Sequence, residues 1–180
     1  MPKSRKQRWR DAANVVGEMI PPEHHVVGIN PIYRSGSVTR WHTYPEVPPQ
    51  TLADHQGRVA QIVLFFWPKA EPDLLYAALH HDCGELIVGD FPRPKKDDDP
   101  ELAALLDLRE AIARTEMGID LIDHNDPRLI FADHLEAYTY VALHCHHLLG
   151  QPAWVKAIAS LGEQADLLDV SQRLVEWFAR

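Results

Sequence analysis

Three separate stretches of this 180-residue chain set imidazole or carboxylate groups into apolar helical patterns. His55 stands four residues before Val59, in a face that continues through Ile62, Val63 and Phe66. His81-Asp82 closes the run Leu74-Leu75-Tyr76-Ala77-Ala78-Leu79-His80, and Glu85 follows about one helical turn later. Asp133 interrupts the stripe Leu129, Ile130, Ala137 and Val141. Burying such groups is costly unless they are paired or bound to metal. Two neutral imidazoles and two carboxylates make a mixed nitrogen and oxygen donor set of charge −2, suited to one divalent ion of borderline hardness. Helical bundles commonly build metal sites from facing helices. Four protein ligands leave room for water, the usual hydrolytic nucleophile at such a centre. Singly, each residue has a plainer reading, as a core histidine satisfied by hydrogen bonds or an aspartate on an exposed face. Their combination and order along the chain carry the argument.

The elements that must position these groups are helices. Thr51 is placed to cap a helix over about 52–67, which Pro68 stops. Pro72 opens the next, over about 72–87, in which Leu74, Ala77, Ala78, His81 and Glu85 would share a face. A third runs about 101–117 with Leu102, Leu105, Leu108 and Ile112 as its expected inward stripe. Asp126-Pro127 starts a long helix to about 149. Residues 152–179 read as one or two helices, with Gly162 as the possible break and stripes of Val155, Ile158 and Leu161, then Val170, Leu174 and Phe178. A short helix over 8–19 precedes an irregular stretch from Glu23 to Gln50. No sustained two-residue alternation predicts a strand. The fold class is therefore all-α: a single-domain helical bundle over 1–180, with an N-terminal extension and loop (1–36), a motif-bearing core (37–145) and C-terminal helices (146–180).

Composition narrows the partners. A hydrophobic fraction of 46% with 24% charged residues suits a globular protein, and the net charge of −8 argues against nucleic acid or an anionic membrane as partner. The exception is a basic start, Lys3, Arg5, Lys6, Arg8 and Arg10, read as a solvated terminus. It leads into Asp11-Ala12-Ala13-Asn14, so no signal peptide is expected. The strongest apolar run, Ile62 to Trp67, is far short of a membrane span. Cys83 and Cys145 make no disulfide framework, which points to a reducing compartment, the cytoplasm. His144, His146 and His147 beside Cys145 face different ways on one helix and are read as structural or surface residues. His80 points away from its neighbour by about 100°.

The order His, then His-Asp, then a distant Asp resembles the HD-domain metal-dependent phosphohydrolases, and within them the 5′-deoxynucleotidase branch. The match runs through Arg40-Trp41, Leu52-Ala53-Asp54-His55, His81-Asp82-Cys83-Gly84-Glu85, Gly89-Asp90-Phe91-Pro92 and Ala132-Asp133-His134-Leu135-Glu136-Ala137, roughly residues 37–145. The 23–36 stretch has no counterpart in it. The resemblance implies an HD-type bundle with one divalent ion (Co, Mn, Zn, Fe or Mg) held by His55, His81, Asp82 and Asp133. It implies Glu85 as the catalytic acid or base. Arg40, Trp41, Asp90, Arg93 and Lys96 would bind the substrate, a deoxynucleotide. It favours a homo-oligomer of at least two chains. The implied reaction converts a deoxynucleoside 5′-monophosphate to nucleoside and phosphate by a metal-bound water. A dNTP triphosphohydrolase is the alternative, for which Arg93, Lys95 and Lys96 would supply extra positive charge, and a non-catalytic nucleotide-binding module is a further one.

Overall fold

Local chemistry sets most helix boundaries in the computed structural model, whose described residues are 29–91, 96, 98–119 and 122–179. The expected helix over 8–19, the basic terminus, Arg93 and Lys95 lie outside them. In chain order the elements are α1 (Pro31–Ser35), β1 (Thr39–Arg40), β2 (Gln50–Thr51), α2 (Leu52–Phe66), α3 (Pro72–His80) and α4 (Glu85–Val88). Then follow α5 (Pro100–Glu116), α6 (Pro127–His144), a 3-10 turn (His146–Leu148), α7 (Pro152–Leu167) and α8 (Ser171–Phe178). Thr51 caps α2 by accepting from the Asp54 N–H. Asp99 and Asp126 cap α5 and α6 in the same way, each just before a proline that needs no donor there.

The all-α architecture is as expected. The core lies between α2 (Val59, Ile62, Val63, Phe66), α3 (Leu74, Ala77, Ala78) and α6 (Leu129, Phe131, Ala132, Leu135), and Leu161, Ala165 and Leu174 of α7 and α8 close it. Phe66 meets Phe131 edge to face at 5.0 Å. One small sheet was not expected: β1 and β2 pair antiparallel, Thr39 opposite Thr51 and Arg40 opposite Gln50. Two residues per strand are too few to leave an alternating pattern in the sequence. No helix among the described residues is long and apolar enough to cross a membrane.

Several helix expectations need correction. The helix expected over 72–87 stops at His80, turns through residues 81–84, and resumes as α4. Arg114 Nη1 donates to the His81 carbonyl (2.9 Å), the acceptor a continuing helix would give to the Glu85 N–H, which bonds instead to Asp82 O (2.9 Å). Gly84 lets α5 pack directly on the turn, since a Cβ there would lie 2.5 Å from the Glu110 carbonyl oxygen. The α5 stripe is also reversed. Leu105, Leu108 and Ile112 are 51%, 58% and 45% exposed, whereas Leu106, Glu110, Ala113 and Arg114 are buried. The inward face is the one whose charges hold the 81–84 turn. Helix α6 ends at His144 and not near 149, because Cys145 leaves helical geometry and its thiol donates to Glu46 O (3.0 Å). The C-terminal break falls at 168–170, where Asp169 takes φ 56° and the Val170 N–H closes on Ala165 O, and Gly162 lies within α7. Val155 and Phe178 are exposed while Leu161, Val170 and Leu174 are buried.

Gly84→Ala is expected to destabilise the fold by about 1–3 kcal/mol through overpacking against α5. Gly57→Ala, where a Cβ meets nothing, should be neutral or stabilising by up to about 1 kcal/mol. Urea denaturation of the two variants tests the pair; equal midpoints would remove the close approach of Gly84 to Glu110.

Candidate metal centre

Three elements meet over one small volume. The first turn of α2 supplies His55, the turn after α3 supplies His81 and Asp82, and the second turn of α6 supplies Asp133. His55 Nε2 lies 3.4 Å from Asp82 Oδ2 and 3.2 Å from Asp133 Oδ1, and His81 Nε2 lies 3.1 Å and 4.0 Å from the same two atoms. His55, His81 and Asp82 form a group whose ligand atoms could hold a metal ion. Both imidazole Nε2 atoms are buried without a hydrogen-bond partner. Buried nitrogens left unpartnered beside carboxylate oxygens, in a mixed nitrogen and oxygen set, fit a borderline divalent cation.

The far side of the His55 ring is fixed. Its Nδ1 lies 2.6 Å from Glu136 Oε2, a carboxylate buried one turn beyond Asp133 on α6. Metal-bound histidines usually carry such a partner on the second nitrogen. Glu136 was missed as a site residue, although a carboxylate three residues after Asp133 in an apolar helix is the signal that finds it.

The electrostatics follow from crowding. Burial and Arg40 oppose a charge on His55, but the carboxylates of Asp133, Asp82 and Glu136 outweigh them and push its pKa up to about 10. Burial acts against Asp82 and Asp133 as anions, yet the two imidazoles hold both below the usual carboxylate range. Glu85 goes the other way. Burial and then the neighbouring Asp82 and Asp90 push it up to about 10 against the pull of Arg40, and its Oε2 has no partner.

Arg40 is buried beside this group. Burial works against its charge, and Asp133, Asp82, Glu85 and Asp90 more than restore it. Its Nε lies 3.9 Å from Asp90 Oδ1 and its Nη1 is unpartnered. Asp90 also faces His42 Nδ1 at 3.7 Å, and burial raises its carboxyl. Trp41 sits at φ 67°, stacks on Tyr140 (centroids 6.2 Å, planes 4° apart) and joins Tyr44 and Trp154 in an aromatic cluster. The site residues expected from the sequence thus separate into two groups. His55, His81, Asp82, Asp133, Glu85, Arg40 and Asp90 converge. Lys96 is held by Glu110 (3.2 Å) and Asp107 (3.6 Å), and Arg93 lies outside the described residues. His80 stacks on Tyr76, and His144, His146 and His147 are exposed, so none of these enters the site.

Comparison with known proteins adds one finding. Over residues 30–142, more than half of the chain, the sequence matches the family described as 5′-deoxynucleotidase YfbR-like. No curated protein matches it.

The crowding sets the sign of a pH dependence. In the metal-free chain, folded His55 keeps its proton to about 10 while an unfolded imidazole releases it near 6.5. Folded Glu85 likewise stays protonated to about 10 against an unfolded value of 4.5. The folded state therefore binds more protons across that window, and its stability falls as pH rises. The His55 contribution is complete below about 6.5 and is lost on passing about 10. Urea midpoints measured in EDTA are expected to fall over this range, less steeply in Glu85→Gln; a flat or rising profile would contradict the crowding.

Proposed function

The chain belongs to the YfbR-like 5′-deoxynucleotidase family, and on that premise we propose that it hydrolyses a deoxynucleoside 5′-monophosphate to nucleoside and phosphate with a divalent ion. The observation that carries this reading is the convergence of two unpartnered imidazole nitrogens with two carboxylates, beside a buried carboxyl and a buried guanidinium. His55, His81, Asp82 and Asp133 would hold the ion; Mn, Co, Zn, Fe and Mg all suit such a set. When bound, the ion polarises a phosphoryl oxygen and lowers the pKa of water.

The remaining chemistry falls to the chain itself. Glu85, which burial and the neighbouring Asp82 and Asp90 push toward its protonated form in the metal-free chain, gives a proton to the departing 5′ oxygen or takes one from the attacking water. Arg40 meets the phosphate with its planar fork of donors, of which Nη1 is unpartnered. Asp90 accepts from a sugar hydroxyl, and Trp41, braced by Tyr140, packs on sugar or base. Release of triphosphate from a dNTP is the weaker reading: it draws on surplus cations, and Lys96 is already paired with Glu110 and Asp107. A non-catalytic module has no need of the four ligands and Glu85 together. The protein would work in the cytoplasm as a homo-oligomer of at least two chains.

A phosphate-release screen over dAMP, dATP and their ribo counterparts with each metal tests the proposal. Monophosphate turnover that chelation abolishes is the expected outcome; dATP cleaved to nucleoside and triphosphate with monophosphates untouched would select the alternative. His81→Ala and Asp82→Ala should lose turnover while keeping a helical far-UV spectrum. Glu85→Gln should retain metal affinity and lower kcat by about 10²–10⁴-fold.

A further inference from the structure

A chain of hydrogen bonds leads away from His55 to the Arg40-Trp41 arm. Gln50 is buried and pairs with Arg40 across the β1–β2 ladder. Its Oε1 accepts from the Trp41 indole Nε1–H (3.2 Å). Its Nε2 donates to Glu136 Oε1 (2.8 Å) and to Asp54 Oδ2 (3.0 Å). The Glu136 Oε2 receives the His55 Nδ1–H at 2.6 Å.

Donor and acceptor chemistry leaves this chain one direction. An indole N–H only donates and an ionised carboxylate only accepts. The Gln50 oxygen must therefore face Trp41 and its amide hydrogens the two carboxylates. Glu136, accepting on both oxygens, requires a hydrogen on His55 Nδ1. A neutral ring then has its lone pair on Nε2, the atom that faces Asp82 and Asp133.

We propose that Gln50 and Glu136 are a positioning relay that fixes the tautomer of His55 for metal binding and ties it to the Trp41 arm. The inference rests on the metal-site reading above. Neither residue touches the reacting atoms; both act through His55.

The relay makes a prediction that simple packing does not. In Glu136→Gln the new amide must offer its oxygen to Gln50, so its NH₂ meets His55 Nδ1. The ring then accepts at Nδ1, carries its hydrogen on Nε2 and cannot bind metal there. Adding Gln50→Glu, together with Asp54→Asn so that the new carboxylate meets an amide and not the Asp54 carboxylate at 3.0 Å, reverses the polarity. The carboxylate at 50 accepts from both the indole and the amide at 136, which frees the amide oxygen for His55 Nδ1–H.

Mn²⁺ titration calorimetry on the full chain is the test, with thermal melts in EDTA as the folding control. Glu136→Gln and Gln50→Glu should each lose about 10–100-fold in Mn²⁺ affinity, and Q50E/D54N/E136Q should recover most of it. Long-range ¹H–¹⁵N NMR of the Zn²⁺-loaded protein should show the His55 hydrogen on Nδ1 in the unsubstituted chain and in Q50E/D54N/E136Q. If Glu136→Gln does not fold, Gln50→Met removes the donor at similar volume and should lower affinity in the same direction. Single variants that bind Mn²⁺ like the unsubstituted chain, or a Q50E/D54N/E136Q variant no better than the worse single, would overturn the relay alone. An unsubstituted chain that takes up no divalent ion would overturn the metal reading and the relay with it.

Discussion

The constraint on which the rest depends is an excess of carboxylate, buried at Glu85 and Glu136 and partly buried at Asp82 and Asp133. Asp82, Glu85, Asp133 and Glu136 crowd the space between α2, α6 and the turn after α3, with Arg40 as the nearby fixed cation. Two like charges 4 Å apart repel by about 4 kcal/mol even at an effective dielectric of 20. The metal-free fold relieves this by keeping a proton on Glu85, charging His55 and burying Arg40 against the pull of solvent. A divalent cation between His55 and His81 relieves it as well. The same crowding gives the cluster an electrostatic preference for positive charge.

Holding that charge in place explains why α5 presents its polar face inward. Arg114 takes the His81 carbonyl, and Glu110 lies against Gly84 while gathering Arg114 and Lys96. Each contact bends the chain after His80 and keeps Asp82 and Glu85 directed at the same site. A continuous helix would place His81, Asp82 and Glu85 by helical geometry alone. The turn places them by side-chain bonds from another helix, which ties site geometry to the docking of α5.

Legibility in the sequence divides along this line. The convergence of His55, His81, Asp82 and Asp133 and the α2 and α6 starts were readable because each rests on local signals: a capping Thr or Asp, a proline at the first turn, an imidazole or carboxylate in an apolar period. The broken helix and the reversed α5 face were not, because the apolar period of Leu105, Leu108 and Ile112 predicts burial while long-range bonds from Glu110 and Arg114 decided the packing. Gln50 escaped for a related reason. A glutamine after two prolines carries no signal until the β1–β2 pairing sets it opposite Arg40. Ordering a site by helix faces alone therefore recovers the side chains that converge and omits those that hydrogen-bond to them from behind.

The Arg40-Trp41 arm shows what such orientation demands. A bulky residue at φ 67° stores about 1–3 kcal/mol of strain and persists only where its surroundings fix it. Trp41 is fixed from two sides: its ring lies on Tyr140 and its indole N–H is held by Gln50. On either side of it, Arg40 and His42 reach the Asp90 carboxylate. Relaxing Trp41 would break the indole bond that orients Gln50 and, through Glu136, His55. The strain at Trp41 thus sits where the Arg40-Trp41 arm and the His55 cluster share a hydrogen-bonding partner, and distortion there is felt at both.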